Sequence, residues 1–190
     1  MPRIEPLSPP YTLEQEARVG ALMPKGATVP PLAIFRTFAR HPALQDAITS
    51  LGRFNLVPDA EKGASLAPRD REIVIDRVCA RCGCEYQWGV HVASFAREVG
   101  LTAAQVIATA RGGIDDPAWS ERDRLLIRLV DELHDSACIS DGLWPALAAQ
   151  WSEKQLMELL VLAGWYHAAA YLANGVGLEL EPWAARFPRD

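Results

Sequence analysis

The sequence lacks several features that mark broad classes of protein. There is no excess of positive charge: the 190 residues carry a net charge of −5 with both signs dispersed, whereas nucleic-acid-binding domains present a basic face. No run approaches the roughly 20 apolar residues needed to span a bilayer. The N-terminus has no apolar segment typical of a signal peptide. We therefore expect no nucleic-acid partner, no membrane segment and a cytoplasmic location.

Strand signals are lacking as well. No alternation of apolar and polar residues is long enough to predict a β-strand, and no repeat of fixed period occurs. Hydrophobic residues make up 49% of the chain, so a substantial core can form without disulfides. The sequence therefore predicts an all-α fold in one domain covering residues 1–190, with an extended arm at 1–10 and an irregular tail at 176–190.

Capping patterns mark the ends of the predicted helices. Thr12 and Ser152 each begin a capping box with a glutamine three residues later. Pro68 fits a first helical turn, and Gly100 fits a C-terminal cap. The predicted helices are 12–23, 32–40, 43–54, 69–79, 85–99, 102–111, 120–135, 140–150 and 156–174.

The last predicted helix is apolar on nearly every side, from Leu159 through Trp165 to Ala170. Such a helix must be covered all round. Two interpretations remain open: another subunit covers part of it, or it is the central core helix of a monomer.

Three of the four cysteines cluster around Gly83, between two predicted helices: Cys79, Cys82 and Cys84. In a cytosolic chain, cysteines are more often free, catalytic or metal-bound than paired in structural disulfides. Cys79 and Cys82 form a C-x-x-C pair. A redox dithiol usually has its first cysteine at a helix N-terminus, whereas this pair ends a helix, so we treat it as a secondary redox candidate.

Glu72 lies on the helix that precedes this cluster and shares a face with Asp76 and Cys79. A carboxylate on a half-buried helix commonly has a raised pKa and can shuttle a proton. The alternative is a structural ion pair with one of three nearby arginines, Arg69, Arg71 or Arg77.

The helix after the cluster places Cys84, Gln87, Trp88 and His91 on one face. A thiol at a helix N-terminus with an imidazole two turns on favours the thiolate. The alternative is a buried cysteine and a core histidine.

A metal site was the third possibility for this region. Cys79, Cys82, Cys84 and His91 could supply zinc ligands, but the single-residue spacing between Cys82 and Cys84 does not match the paired knuckles of common structural zinc sites. We expect no metal and no cofactor. Weaker candidates are His134, which could cap or pack, His167, which could face a cavity or an interface, and Cys138, expected to be a small core residue.

Several segments together resemble a known family. They are Pro68–Glu72, Gly83–His91 and Ala96–Thr102, with flanks at Ile34–Pro42, Val130–His134 and Ile139–Asp141. The chain is similar to the carboxymuconolactone decarboxylase and AhpD-like (alkylhydroperoxidase D) superfamily. This resemblance implies an all-helical fold, a central two-helix hairpin that carries the site, and a homo-oligomer: a dimer, trimer or hexamer.

The resemblance also implies a peroxidase motif that this sequence only partly keeps. The peroxidase branch has a glutamate on the first helix and C-x-x-C-x-x-x-H on the second. These positions correspond to Glu72, Cys84 and His91, but the peroxide-attacking cysteine is replaced by Gln87. Glutamine cannot be that nucleophile. A thiol-dependent, peroxiredoxin-like antioxidant activity would need Cys84 to be resolved by Cys82 or Cys79.

The favoured interpretation is therefore a cofactor-free decarboxylase or related lyase acting on a small carboxylated or lactone substrate. His91 would be proton donor or base, Glu72 its orienting partner, Cys84 a pocket wall, and Tyr86 or Gln87 a donor to a substrate oxygen. Four arginines near the site could attract an anionic substrate: Arg69, Arg71, Arg77 and Arg81. A non-catalytic oligomeric protein on the same scaffold remains the third alternative.

Overall fold

The structure is a computed structural model and describes residues 1–23, 26–56 and 63–189. Every regular element within these residues is helical, which confirms the predicted all-α class. The helices are α1 (Leu13–Gly20), α2 (Ala33–Phe38), α3 (Pro42–Leu56), α4 (Pro68–Arg81), α5 (Glu85–His91), α6 (Ala103–Arg111), α7 (Glu121–Ser136), α8 (Trp144–Ala148) and α9 (Glu153–Val176). A π-helical turn, Val92–Ala96, continues α5.

The predicted caps account for where several helices begin and end. Thr12 and Ser152 form complete capping boxes, in which both reciprocal hydrogen bonds are present. Pro68 occupies the first turn of α4. Gly100 has φ +74° and ends the helical segment that includes the π-helical turn.

Two helices, α5 and α8, depart furthest from their predicted boundaries, and the others agree to within three residues. The single helix predicted over 85–99 is α-helical only to His91 and then widens into the π-helical turn. α8 begins at Trp144 instead of near Ser140, because Pro145 lies in its first turn and Ser140 organises the preceding turn by accepting a hydrogen bond from the Leu143 N–H.

α4 lies at the centre of the molecule and packs against α5, α6, α7 and α9. Its residues Ile73, Val74, Ile75 and Val78 are fully buried. Burial on all sides explains why α4 shows no clean amphipathic pattern, since an amphipathic stripe is expected only where a helix has a solvated face.

Two buried charged side chains of α4, Asp70 and Arg77, are paired with groups from other parts of the fold. Asp70 accepts two hydrogen bonds of 2.6 Å from Arg122 and one of 2.9 Å from the Trp151 indole. Arg77 makes two hydrogen bonds of 2.8 Å to Asp131. Paired, hydrogen-bonded charges of this kind fix how α7 docks on α4, because removing one partner would leave an unpaired buried charge.

α9 serves mainly as a core helix, with Leu159, Leu162 and Tyr166 fully buried. It is long and apolar enough to cross a membrane by length and composition alone, but more than half of its most apolar stretch is buried inside the molecule. The core position therefore explains its composition, and the cytoplasmic location stays a prediction.

The arm and the tail both pack on the helical body. The Arg3 N–H donates a 2.7 Å hydrogen bond to the Val176 carbonyl. The tail after α9 runs across α5, where the Ala185 N–H donates to the Gly89 carbonyl at 3.0 Å, and the Phe187 ring lies 5.1 Å from the Trp88 ring. The tail is irregular, as expected, and ordered by these contacts.

Candidate active site

A tight corner between α4 and α5 sets the geometry of the site. Gly83 has φ +60°, a left-handed conformation that glycine adopts readily. The Cys84 N–H donates a 2.8 Å hydrogen bond across the corner to the Cys79 carbonyl. The two helices therefore form a hairpin, and the inner faces that carry Glu72 and His91 meet.

Three side chains, Glu72, His91 and Tyr166, are linked by hydrogen bonds that run across the hairpin into the core. His91 Nδ1 lies 2.9 Å from Glu72 Oε2, and His91 Nε2 lies 3.0 Å from the Tyr166 hydroxyl on α9. All three side chains are buried. Glu72 therefore pairs with His91 and not with an arginine, and both imidazole nitrogens have hydrogen-bond partners.

Tyr166 remains a phenol at neutral pH. Burial and the negative charge of Glu72 raise the pKa of Tyr166 well above its ordinary value. Its O–H can therefore donate to His91 Nε2 when the imidazole is neutral, and His91 Nδ1–H then donates to Glu72. The same two partners can also accommodate a protonated His91 ring, for which Glu72 provides the counter-charge.

Asp76 lies one turn beyond Glu72 and is completely buried. Neither of its carboxyl oxygens has a hydrogen-bond partner among the described residues. Burial and the nearby charge of Glu72 raise the pKa of Asp76 well above its ordinary value. This environment favours the neutral carboxylic acid, because an unpaired buried carboxylate would be very costly.

A cavity of about 320 Å³ opens beside His91 and Tyr166. Its walls come from the segment between α1 and α2, from α2, α5, the π-helical turn and α9, and from the tail. Most of its lining is apolar and includes the rings of three phenylalanines and two tryptophans: Phe35, Phe38, Phe95, Trp165 and Trp183. The polar lining groups among the described residues include Gln87, His91, Ser94 and Tyr166. A small, mostly apolar organic molecule fits such a pocket.

Gln87 lies on the cavity wall, one turn before His91. Gln87 is buried, with an exposed fraction of 7%. The helical spacing of Gln87 and His91 predicts that they share one face of α5, and in the structure both line the cavity. The amide offers both a donor and an acceptor at this wall.

The three clustered cysteines lie outside the described lining of the cavity. Burial raises the pKa of the Cys84 thiol to about 11, because the loss of hydration outweighs the backbone N–H groups at this helix N-terminus. Of the two interpretations of Cys84, the structure therefore favours the buried cysteine over the thiolate. Burial also raises the pKa values of Cys79 and Cys82. All four cysteines are free, and Cys138 is exposed, not the core residue that was expected.

Tyr86 does not face the cavity either. Its hydroxyl donates a 2.7 Å hydrogen bond to Glu181 in the tail and accepts one of 3.2 Å from the Ile34 N–H. Glu181 also accepts a 2.7 Å hydrogen bond from the Ala33 N–H. Tyr86 therefore anchors the tail and α2, which form part of the cavity wall, and has no direct route to a bound substrate.

The arginines that were expected to attract an anionic substrate are engaged elsewhere. Arg69 donates hydrogen bonds to Asp123, and Arg71 donates to the Asn55 carbonyl. Arg77 donates to Asp131, and Arg81 donates to Asp135. No arginine or lysine occurs among the described residues of the cavity lining. That expectation was therefore wrong, because helix packing turns these side chains toward α3 and α7.

Tyr166 is the site residue that sequence reasoning missed. The signal was a tyrosine within an otherwise apolar helix, where a buried hydroxyl needs a hydrogen-bond partner. Its partner lies 75 residues away in the chain, so local spacing could not identify it. The four residues considered for zinc, Cys79, Cys82, Cys84 and His91, do not converge as a ligand group in the described part of the chain.

Comparison with known proteins identifies the family. The model of the carboxymuconolactone decarboxylase family matches residues 42–130. No curated protein matches the chain significantly. The matched segment runs from α3 into α7 and contains Glu72, Gln87 and His91, whereas Tyr166 lies beyond it. The resemblance found in the sequence is thereby confirmed: residues 42–130 are similar to the carboxymuconolactone decarboxylase family.

Proposed function

We propose that the protein is a cofactor-free acid/base enzyme, a decarboxylase or related lyase, acting on a small carboxylated or lactone substrate. One observation carries the proposal. His91 and Tyr166, which are hydrogen-bonded to each other and through His91 to Glu72, line the cavity, whereas the three clustered cysteines lie outside the described lining of the cavity. The groups at hand for chemistry are therefore proton donors and acceptors.

Decarboxylation consumes one proton, so the reactive form of the pair is the one with both imidazole nitrogens of His91 protonated. The Nδ1–H donates to Glu72, whose carboxylate stabilises the imidazolium. When the carbon–carbon bond to the carboxylate breaks, its electron pair forms an enolate and carbon dioxide leaves. The Nε2 proton then reaches the enolate carbon, directly or through the Tyr166 hydroxyl.

The cavity walls favour this charge movement. A substrate carboxylate placed among the aromatic rings loses hydration and meets no arginine or lysine among the described lining residues. The departing carboxylate is thereby destabilised relative to the more dispersed charge of the enolate. Gln87 and Tyr166 can donate hydrogen bonds to the enolate oxygen, where negative charge develops.

Peroxide reduction by a thiol has less support. Cys84 is fully buried and its pKa is raised to about 11, so the reactive thiolate is scarce at neutral pH. The position of the second motif cysteine is Gln87.

The test is turnover of carboxymuconolactone and a panel of small carboxylated lactones, followed as carbon dioxide release. Tyr166→Phe and His91→Gln are expected to lower kcat by about 10²- to 10⁴-fold, the usual contribution of a positioned acid or base. Tyr11→Phe is the matched control, because Tyr11 does not line the cavity and its hydroxyl donates to the Leu7 carbonyl, and it should leave kcat unchanged.

Two outcomes would contradict the proposal. One is the absence of both turnover and binding across the panel, with binding read from the fluorescence of the lining tryptophans, Trp165 and Trp183. The other is dithiol-dependent peroxide consumption that disappears in Cys84→Ala and is unaffected in Tyr166→Phe.

A further inference from the structure

Three side chains that take no part in the cavity converge beside the corner that joins α4 to α5. Cys82 caps the C-terminus of α4, His134 lies in the last turn of α7, and His167 lies on α9. One ligand atom from each, Sγ or a ring nitrogen, lies within 4.8 Å of the other two. Each of the three side chains is partly buried.

The two imidazoles already have the separation of metal ligands. His134 Nδ1 lies 3.1 Å from His167 Nε2. Two nitrogens bound to one tetrahedral zinc at about 2.0–2.1 Å are about 3.3 Å apart. A zinc-bound thiolate sulfur lies about 3.5 Å from each nitrogen. Because the ligand atoms already lie within 4.8 Å of one another, the Cys82 sulfur needs to move by at most about 1.3 Å to close around an ion.

The tautomer of His167 is set by its second nitrogen. His167 Nδ1 lies 3.1 Å from the Ala163 carbonyl oxygen, and a carbonyl can only accept, so Nδ1 carries the hydrogen. In the neutral ring Nε2 then presents its lone pair toward His134. Metal-bound histidines are commonly oriented in this way by a hydrogen bond from the other ring nitrogen.

The backbone around the cluster is also held in place. The Asn174 side-chain amide donates a 2.9 Å hydrogen bond to the Cys82 carbonyl, which ties the end of α4 to α9. Arg81, which precedes Cys82 in the chain, forms an ion pair with Asp135, and its Nε lies 3.6 Å from Asp131 Oδ1. Its charge is therefore offset, and a metal ion is not opposed by a free guanidinium.

We infer that Cys82, His134 and His167 form a zinc site with three protein ligands and a fourth position left for water or another donor. Thiolate and imidazole ligands favour zinc over magnesium or calcium, which prefer oxygen. None of the three residues lines the cavity, so the site is separate from the proposed acid/base chemistry and does not depend on it. The sequence pattern missed it because the ligands lie far apart along the chain.

The first test uses the wild-type chain alone. Chelator-treated protein titrated with Zn²⁺ against a chromophoric chelator should bind one equivalent per chain. Zn²⁺ should also protect Cys82 from iodoacetamide while the exposed Cys138 stays reactive. Absence of stoichiometric binding, or equal alkylation of Cys82 with and without Zn²⁺, would overturn the inference.

The second test compares variants. Cys82→Ser and His167→Gln should weaken Zn²⁺ binding by more than about 100-fold, the upper end of what a change outside the ligand set causes. Cys138→Ser is the matched control and should bind as the wild type does. With Co²⁺, the wild type and Cys138→Ser should show a thiolate charge-transfer band that Cys82→Ser lacks. Equal Zn²⁺ affinity in all variants would contradict the assignment, and circular dichroism checks that each variant folds.

Discussion

Burial decides how the titratable side chains near His91 behave. Glu72 keeps a partner, His91 Nδ1, at 2.9 Å, whereas Asp76, one turn on, has none among the described residues. Cys84 sits at a helix N-terminus, yet burial raises its pKa to about 11. Residue type and helix position therefore predict which groups are present, and burial determines which protonation state each adopts.

Asp76 provides a prediction on stability and pH. Since burial raises the pKa of Asp76 in the folded protein, folding takes up a proton, and this contribution to stability is complete below the unfolded value of about 3.9 and lost as pH rises through the folded value. The loss is at most about 1.4 kcal/mol per pH unit. Asp76→Asn should remove it, so the variant gains in stability relative to the wild type as pH rises above about 4.

Urea unfolding between pH 4 and pH 8 measures this difference. Asp141→Asn is the control, because Asp141 is exposed, and its curve should run parallel to that of the wild type. Parallel curves for Asp76→Asn and the wild type would show that Asp76 titrates normally in the folded protein.

At the scale of elements, the hairpin of α4 and α5 is completed by parts of the chain that carry no motif. The π-helical turn after α5 brings Ser94 and Phe95 to the cavity; such turns are frequent at functional sites. The tail supplies Trp183. Its path over α5 requires glycine at position 89, because a Cβ there would lie 2.2 Å from the Ala185 carbonyl oxygen.

Gly89→Ala should therefore displace the tail. We expect a loss of about 1–3 kcal/mol in stability, typical of overpacking, and weaker substrate binding because Trp183 leaves the cavity wall. Hydrogen exchange over 178–189 should rise while α4 remains protected. Gly20→Ala is the control, since a Cβ there meets nothing within 4 Å. Unchanged exchange in the tail would mean that its contact with α5 does not hold it.

At the scale of the whole molecule, α9 leaves one side uncovered. Met157, Val161, Ala168 and Tyr171 are exposed on this helix and recur at spacings of three, four or seven. Gly164, also exposed, lies between them and leaves room for close approach. We propose that a second copy of the chain covers this uncharged stripe, since one self-complementary face is what a two-fold interface requires.

Light scattering after size exclusion tests the oligomeric state. The wild type should have a mass of two or more chains of 20.9 kDa. Val161→Arg should shift the mass toward that of the single chain, because it places a charge in the interface. Leu13→Arg is the matched control, because Leu13 is an exposed apolar residue on α1. A wild type that runs as a monomer at micromolar concentration would contradict the proposal.

The sequence by itself determined the helical class, most helix boundaries and the resemblance to the carboxymuconolactone decarboxylase family. Capping residues, proline, glycine and helical periodicity act over a few residues, so these features can be recognised locally. The same periodicity placed Glu72 and His91 each on a defined face of its own helix, and Gln87 marked the departure from the peroxidase motif.

Only the tertiary structure decided what these residues meet. Tyr166 hydrogen-bonds His91 from 75 positions away in the chain. Helix packing buries Cys79 and Cys84, and it pairs the four arginines of α4 with groups on α3 and α7. Cys82, His134 and His167 converge from three helices whose docking no local pattern specifies. The physical reason is common to all of these cases: pKa values, ion pairs and ligand geometry depend on burial and on neighbours, which exist only once the chain has folded.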